Sequence, residues 1–147
     1  MIFYSFAFLP LRHEDTKNMY TKDHLEVLAK EIVNASFEVH KNMGPGLLES
    51  VYEYCLSKEL SLRNIAHTTQ QKIPLQYKGY ILSKDFYIDI FINGQIIIEI
   101  KAVDIIAPVH QAQLLSYLKL ANKRLGFLIN FNVPLLKNGI RRIINGY

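Results

Sequence analysis

Asp85-Phe86-Tyr87-Ile88-Asp89-Ile90-Phe91-Ile92-Asn93-Gly94-Gln95-Ile96-Ile97-Ile98-Glu99-Ile100-Lys101 is the stretch on which the fold of this chain turns. Its even positions are Phe86, Ile88, Ile90, Ile92, Ile96, Ile98 and Ile100. Its odd positions carry every charged group: Asp85, Asp89, Glu99 and Lys101. Side chains alternate faces along a strand, so the period of two describes a hairpin with one apolar core face. Asn93-Gly94 marks the turn. A two-residue loop there would set Ile92 opposite Gln95 and mix the two faces. A three-residue or bulged loop keeps even residues opposite even ones. The register therefore predicts such a loop, with Asp89 and Glu99 on one face and close together across the hairpin.

Outward from the hairpin the period changes. Residues 22–43 carry Leu25, Leu28, Ile32, Ala35, Val39 and Met43 at helical spacing, with Thr21 as the N-cap. Gly44-Pro45-Gly46 stops that helix, and a second follows over about 47–63. Its expected buried stripe is Leu47, Val51, Tyr54 or Cys55, and Leu62. Residues 68–77 alternate, and Lys78-Gly79 turns the chain into 80–92. Pro108 opens a third helix to about Ala121, as proline is favoured in a first turn. Leu125 to Phe131 reads as a short buried strand. The tail sets Ile140, Ile143 and Ile144 beside Arg141 and Arg142, and no period decides its state. The order α-α-β-β-β-α-β predicts an α/β fold, a mixed sheet flanked by helices.

At 147 residues, half of them hydrophobic, the chain suits one domain with a substantial core. Seven glycines and one cysteine exclude collagen-like and disulfide-rich classes. No apolar run approaches the roughly 20 residues that span a bilayer. The opening MIFYSFAFLP lacks the basic start and small-residue cleavage site of a secretory signal, so a cytoplasmic protein is expected. Residues 1–20 read as an N-terminal extension, with Met19 as the alternative start, and 21–147 as the single domain. Residues 1–100 hold ten Lys/Arg against twelve Asp/Glu, a net −2. Residues 101–147 hold seven against one, a net +6. A basic C-terminal third invites a polyanion, although a solvated surface reads the same way.

The chemistry gathers on the odd face of the hairpin. Two carboxylates held together repel unless a proton or cation lies between them. Mg²⁺ or Mn²⁺ takes oxygen ligands and often uses one or two carboxylates plus water. Lys101 follows Glu99 on the same face and could orient a bound water and stabilise developing negative charge. The ordinary alternative for Glu-x-Lys on a strand is a surface ion pair worth about 0–1 kcal/mol. Glu49 stands in the first turn of its helix, where the helix dipole alone favours an acid. Tyr52, three positions on, could bond it through the hydroxyl. Gln113 and Tyr117 lie one helical turn apart, and His110 one turn earlier could reach the same groove. Lys119, Lys123 and Arg124 could follow a phosphate backbone, giving affinity without sequence readout.

Gly46-Leu47-Leu48-Glu49-Ser50-Val51-Tyr52 resembles the signature of the GxxExxY proteins. The resemblance continues through Asp89, Ile98-Glu99-Ile100-Lys101-Ala102-Val103, Ala112 to Leu118 and Gly126 to Phe131, over about residues 23–145. It implies a PD-(D/E)XK nuclease-like, restriction-endonuclease-like α-β-β-β-α-β core preceded by an extra N-terminal helix. It also implies roles. Asp89, Glu99 and the carbonyl of Ile100 would bind the metal, with Glu49 completing the site. Lys101 would position the attacking water, assisted by Gln113 with Tyr117 beside it. A divalent-metal-dependent nuclease acting on DNA or RNA follows, alone, as a homodimer or with a protein partner. The alternative is a nucleic-acid-binding or protein-interaction module that keeps the fold without turnover.

Overall fold

The structure, a computed structural model, describes residues 22–146. The expectations for residues 1–20 and for the Thr21 cap lie outside the described residues. Helix α1 is Lys22–Met43 and α2 is Glu49–Leu62. Strands β1, His67–Tyr77, β2, Tyr80–Ile92, and β3, Ile96–Lys101, follow. Helix α3, Pro108–Ala121, leads to β4, Leu125–Asn130, and then to β5, Ile140–Ile144.

Helix α1 buries Leu25, Ala29, Ile32, Ala35, Ser36 and Val39. The Ser36 hydroxyl donates to the Ile32 carbonyl at 2.8 Å, which satisfies this buried polar side chain. Met43 stays exposed, and Gly44 ends the helix at a φ of 66°. Helix α2 is rotated relative to the expected stripe. It buries Tyr52, Leu56 and Leu60, whereas Leu47, Tyr54 and Leu62 are exposed. Apolar residues occupy both candidate stripes, and Tyr52 selects between them. Its ring stacks on Phe131 with centroids 4.6 Å apart. Its hydroxyl donates to the Gly44 carbonyl at 2.6 Å and accepts from the Leu47 N–H at 3.1 Å. The expected bond to Glu49 is therefore replaced by backbone bonds across the Gly44-Pro45-Gly46 turn.

The five strands pair in chain order, β1-β2-β3-β4-β5. The β3–β4 pair, joined through α3, is parallel and the others are antiparallel. The hairpin has the expected register: Ile92 opposes Ile96 and Ile90 opposes Ile98. Three residues form the loop. Asn93 and Gly94 both take positive φ, Gln95 is the extra residue, and its N–H donates to the Ile92 carbonyl at 2.8 Å.

The even face does not stay on one layer. Ile90, Ile92, Ile96, Ile98 and Ile100 pack with α1 and α2. Ile88, with Ile73 and Phe86, packs instead with Leu114 and Leu118 of α3. The strand changes face at Asp89, beside Gln70, which takes a φ of 50°. Strand β3 is covered on both sides, with Ile96, Ile97 and Ile98 fully buried.

The tail resolves into β5, an edge strand that pairs Ile144 with Leu125 and Ile140 with Ile129. Its approach to β4 requires Gly139. The Asn130 N–H donates to the Gly139 carbonyl at 2.8 Å, and a Cβ on Gly139 would stand 2.1 Å from the Asn130 carbonyl oxygen. Gly139→Ala is expected to lower stability in urea unfolding by about 1–3 kcal/mol, the usual cost of forced overpacking. An unchanged midpoint would show that β5 does not need this close approach.

Candidate active site

Strands β2 and β3 part beyond the Ile90–Ile98 pair. At the fork the Asp89 carboxylate takes the place of the next ladder bond, accepting the Ile100 N–H at 2.8 Å. Asp89 and Glu99 are thus close without being a cross-strand pair, which corrects the simple hairpin picture. The backbone of Asp89 lies against the Glu99 carboxylate and favours its ionised form. Glu99 is 8% exposed, and its Oε1 is buried without a hydrogen-bond partner. From α2, Glu49 accepts the Ala102 N–H at 3.3 Å. From β4, the Asn130 side chain accepts the Val103 N–H at 3.0 Å and donates to the Val103 carbonyl at 2.8 Å. Side chains therefore hold the backbone of residues 100, 102 and 103, with Lys101 among them.

A pocket of about 290 Å³ opens between α2 and the fork, lined by Glu49, Ser50, Glu53, Gln70, Asp89 and Ile100. The Gln70 amide donates to Glu53 and, at 3.4 Å, to Asp89. Three of these lining residues, Ser50, Glu53 and Gln70, are not among the site residues that the sequence suggests. Glu53 sits one helical turn beyond Glu49, a spacing that signals a shared face. Gln70 has no such local signal, because its position depends on the strand break. Asn130 likewise looks like one more strand residue until β3 and β4 are paired.

Burial pushes Asp89 up; the Ile100 N–H and Gln70 amide oppose this, Glu49 adds to it, and Lys101 opposes it. Burial pushes Glu99 up to about 8, the Asp89 charge adds to the rise, and Lys101 counters it. Burial also raises Glu53, against the Gln70 hydrogen bond and with the Asp89 charge. These coupled carboxylates, one with an unbonded buried oxygen, form a donor set that fits a hard divalent cation. Among the described residues no three His, Cys, Asp or Glu side chains gather as a metal-binding group. Asp89, Glu99 and the Ile100 carbonyl could therefore hold an ion only with water or substrate oxygens completing its shell.

Helix α3 brings Tyr117 to the other side of this centre. Its ring stacks on Phe86 at 4.1 Å. Burial raises its hydroxyl pKa, the charges of Glu99 and Asp89 add to the rise, and the Gln113 hydrogen bond lowers it. Gln113 and Tyr117 share one face of α3, one turn apart. His110 has a structural partner at one ring nitrogen. Its Nδ1 accepts the Ala107 N–H at 3.1 Å and caps α3. Lys119 is exposed in the last turn of α3. Lys123 and Arg124 line a separate pocket with Asn93, Gly94 and Gln95, at the start of β3. They precede Leu125, which pairs with Ile96, so the length of β3, about 15 Å, separates them from Lys101. The fold does not bring these two cations to the acidic centre.

The raised carboxylates make the stability of the metal-free protein depend on pH. Glu99 keeps its proton up to about 8 in the folded state, against an ordinary value of 4.5. Between these values the folded chain binds the extra proton, so stability falls as pH rises through the window. Thermal melts in chelator should show a higher Tm at the acid end than at the alkaline end. Glu99→Gln should flatten this dependence and stabilise the alkaline end. A wild-type Tm that climbs across the window would contradict the burial of Glu99.

Comparison with known proteins agrees with the geometry. Residues 26–143 match a family model described as PD-(D/E)XK nuclease superfamily. Searches among curated proteins and solved structures found no match. The element order and the mixed sheet agree with that match over most of the chain, and the chain belongs to the PD-(D/E)XK nuclease superfamily.

Proposed function

We propose that this protein is a divalent-metal-dependent nuclease of the GxxExxY branch, hydrolysing phosphodiester bonds of nucleic acid in the cytoplasm. One observation carries the reading: Asp89, Glu99 and Lys101 meet at a strand fork where Glu99 keeps a buried oxygen unbonded. A surface ion pair would place both partners in water, and this glutamate is not there.

Asp89, Glu99 and the Ile100 carbonyl would hold Mg²⁺ or Mn²⁺, with Glu49 reaching it directly or through water. The ion, when bound, lowers the pKa of water and offsets negative charge on the transferring phosphoryl group. Lys101 orients the attacking water, and its ammonium faces the charge that grows on the phosphate oxygens. Attack forms a bond from water oxygen to phosphorus as the water gives up a proton to solvent, the bond to the leaving oxygen breaks, and that oxygen takes up a proton from solvent. Gln113, one turn from Tyr117 on α3, contacts a phosphate oxygen. Lys119, Lys123 and Arg124 lie outside this centre and serve more distant backbone contacts. Gly44-Pro45-Gly46 and the Tyr52 hydroxyl support the reading by fixing the start of α2, and so Glu49.

Calorimetric titration of Mg²⁺ or Mn²⁺ into wild type and Glu99→Ala, followed by cleavage assays on single- and double-stranded substrates, tests this reading. Wild type should bind and cleave, and Glu99→Ala should lose both. Lys101→Ala should retain metal and cleave about 10²–10³-fold more slowly. No metal binding, even with oligonucleotide present, would leave the alternative of a non-catalytic binding module.

A further inference from the structure

Strands β1 and β2 run on past the fork. They pair with each other to Tyr77–Tyr80, whereas β2 pairs with β3 only as far as Ile90. Residues 71–88 thus form a two-stranded ribbon, about 23 Å long at the usual rise per residue. Helix α3 covers one face near the fork through Ile73, Phe86 and Ile88. The opposite face carries Asp85, Tyr87 and Asp89 at alternate positions. Lys72 pairs with Tyr87 in register and bridges to Asp85 at 3.0 Å, and Gln70 reaches Asp89. Tyr87 is 52% exposed, and the tip adds Tyr77 and Tyr80 at 62% and 74%, with Ile81 and Leu82 exposed beside them. Large exposed apolar groups gathered on one element mark a binding surface. Residues 71–88 carry three lysines, Lys72, Lys78 and Lys84, against a single acid, Asp85.

We infer that this ribbon is a stacking platform for single-stranded nucleic acid, which it leads past Tyr87 to the Asp89 fork. The inference rests on the nuclease reading and names its substrate as an unpaired strand. Exposed aromatic rings interleaved with lysines suit a strand whose bases are free to stack and whose phosphates need cations. A duplex hides the faces of its bases, so the rings have nothing to stack on. The ribbon is continuous with the proposed site. Tyr87 stands two residues from Asp89 on the same strand face, about 7 Å away along the strand. A base resting on Tyr87 therefore places the adjoining phosphate at the pocket of Glu49, Glu53 and Asp89. A second copy of the chain is a poorer occupant, because the ribbon keeps a net positive charge from Lys78 and Lys84 after Lys72 pairs with Asp85, and a symmetric contact would bring like charge to like charge.

Fluorescence anisotropy with labelled oligothymidylate, and with a duplex of equal length, tests the inference on the full chain. Wild type should bind the single strand more tightly than the duplex, with affinity falling as salt rises. Tyr87→Ala should weaken single-strand binding about ten-fold, and Tyr77→Ala with Tyr80→Ala by a similar factor. Tyr87→Phe should bind like wild type, because the ring does the stacking. These side chains are exposed, and matching melting curves will show that the variants fold. Equal binding by wild type and the alanine variants would overturn the platform, as would equal affinity for duplex. Self-association in sedimentation that the tip variants abolish would assign the ribbon to a dimer contact and overturn it too. Cleavage with unaltered binding in Tyr87→Ala removes the platform and leaves the nuclease. Tyr87-dependent binding with no cleavage at any metal removes the nuclease and leaves the platform.

Discussion

A single charge-assisted hydrogen bond, from the Ile100 N–H to the Asp89 carboxylate, governs the arrangement of the site. Buried backbone donors need partners, and Ile100 is 1% exposed. Where β2 leaves β3 the ladder no longer supplies one. Asp89 supplies it from its side chain and allows the strands to part. The same device recurs along the exit of β3, where Glu49 takes the Ala102 N–H and Asn130 takes the Val103 N–H. The Lys101 carbonyl meanwhile accepts from the Phe131 N–H at 3.0 Å. Lys101 thus sits on a backbone held from α2, β2 and β4, and its placement is a property of the whole fold.

That arrangement carries an electrostatic cost. Burial and mutual repulsion oppose the ionised forms of Asp89 and Glu99, and Lys101 only partly compensates. An apolar pair at these positions would favour folding more. Strand β3 is otherwise built for stability, with isoleucine at positions 96, 97, 98 and 100 and none of the four exposed. The surrounding core can tolerate a glutamate whose oxygen lacks a donor, and such tolerance is the usual relation between a stable scaffold and a destabilised site.

How much of this is readable from the residues follows from how local each signal is. The limits of α1 and α3 and the three-residue loop at Asn93-Gly94-Gln95 are legible, because period, proline and parity act over a few residues. Asp89, Glu99 and Lys101 are legible for the same reason, since alternation sets them apart from the isoleucines. The rotation of α2 is not, because Val51, Tyr52, Cys55 and Leu56 offer two stripes and a distant partner, Phe131, decides between them. The change of face at Asp89 is hidden because Ile88 and Ile90 are the same residue in different layers. Strand β5 escapes because its two arginines interrupt a five-residue edge strand, and its pairing depends on a close approach at Gly139. The capping role of His110 is likewise hidden, because helical spacing does not show that a backbone N–H three residues away bonds its Nδ1.

The turn between α1 and α2 couples the packing of the core to the acids of the site. Glu49 and Glu53 reach the fork only if α2 presents the face one turn apart that contains both. The rotation of α2 about its axis is fixed by Tyr52, whose neighbours on the buried stripe are Leu56 and Leu60. Tyr52 in turn holds both sides of the Gly44-Pro45-Gly46 turn, where Gly44 and Gly46 take φ values of 66° and 97° that favour glycine. With the alternative stripe buried, α2 would turn by about 100° per residue of offset and carry both acids away from Asp89. The Gly46-to-Tyr52 motif is therefore best understood as one device. Its glycine allows the turn, its tyrosine sets the rotation, and its glutamate is what the rotation delivers to the end of β3.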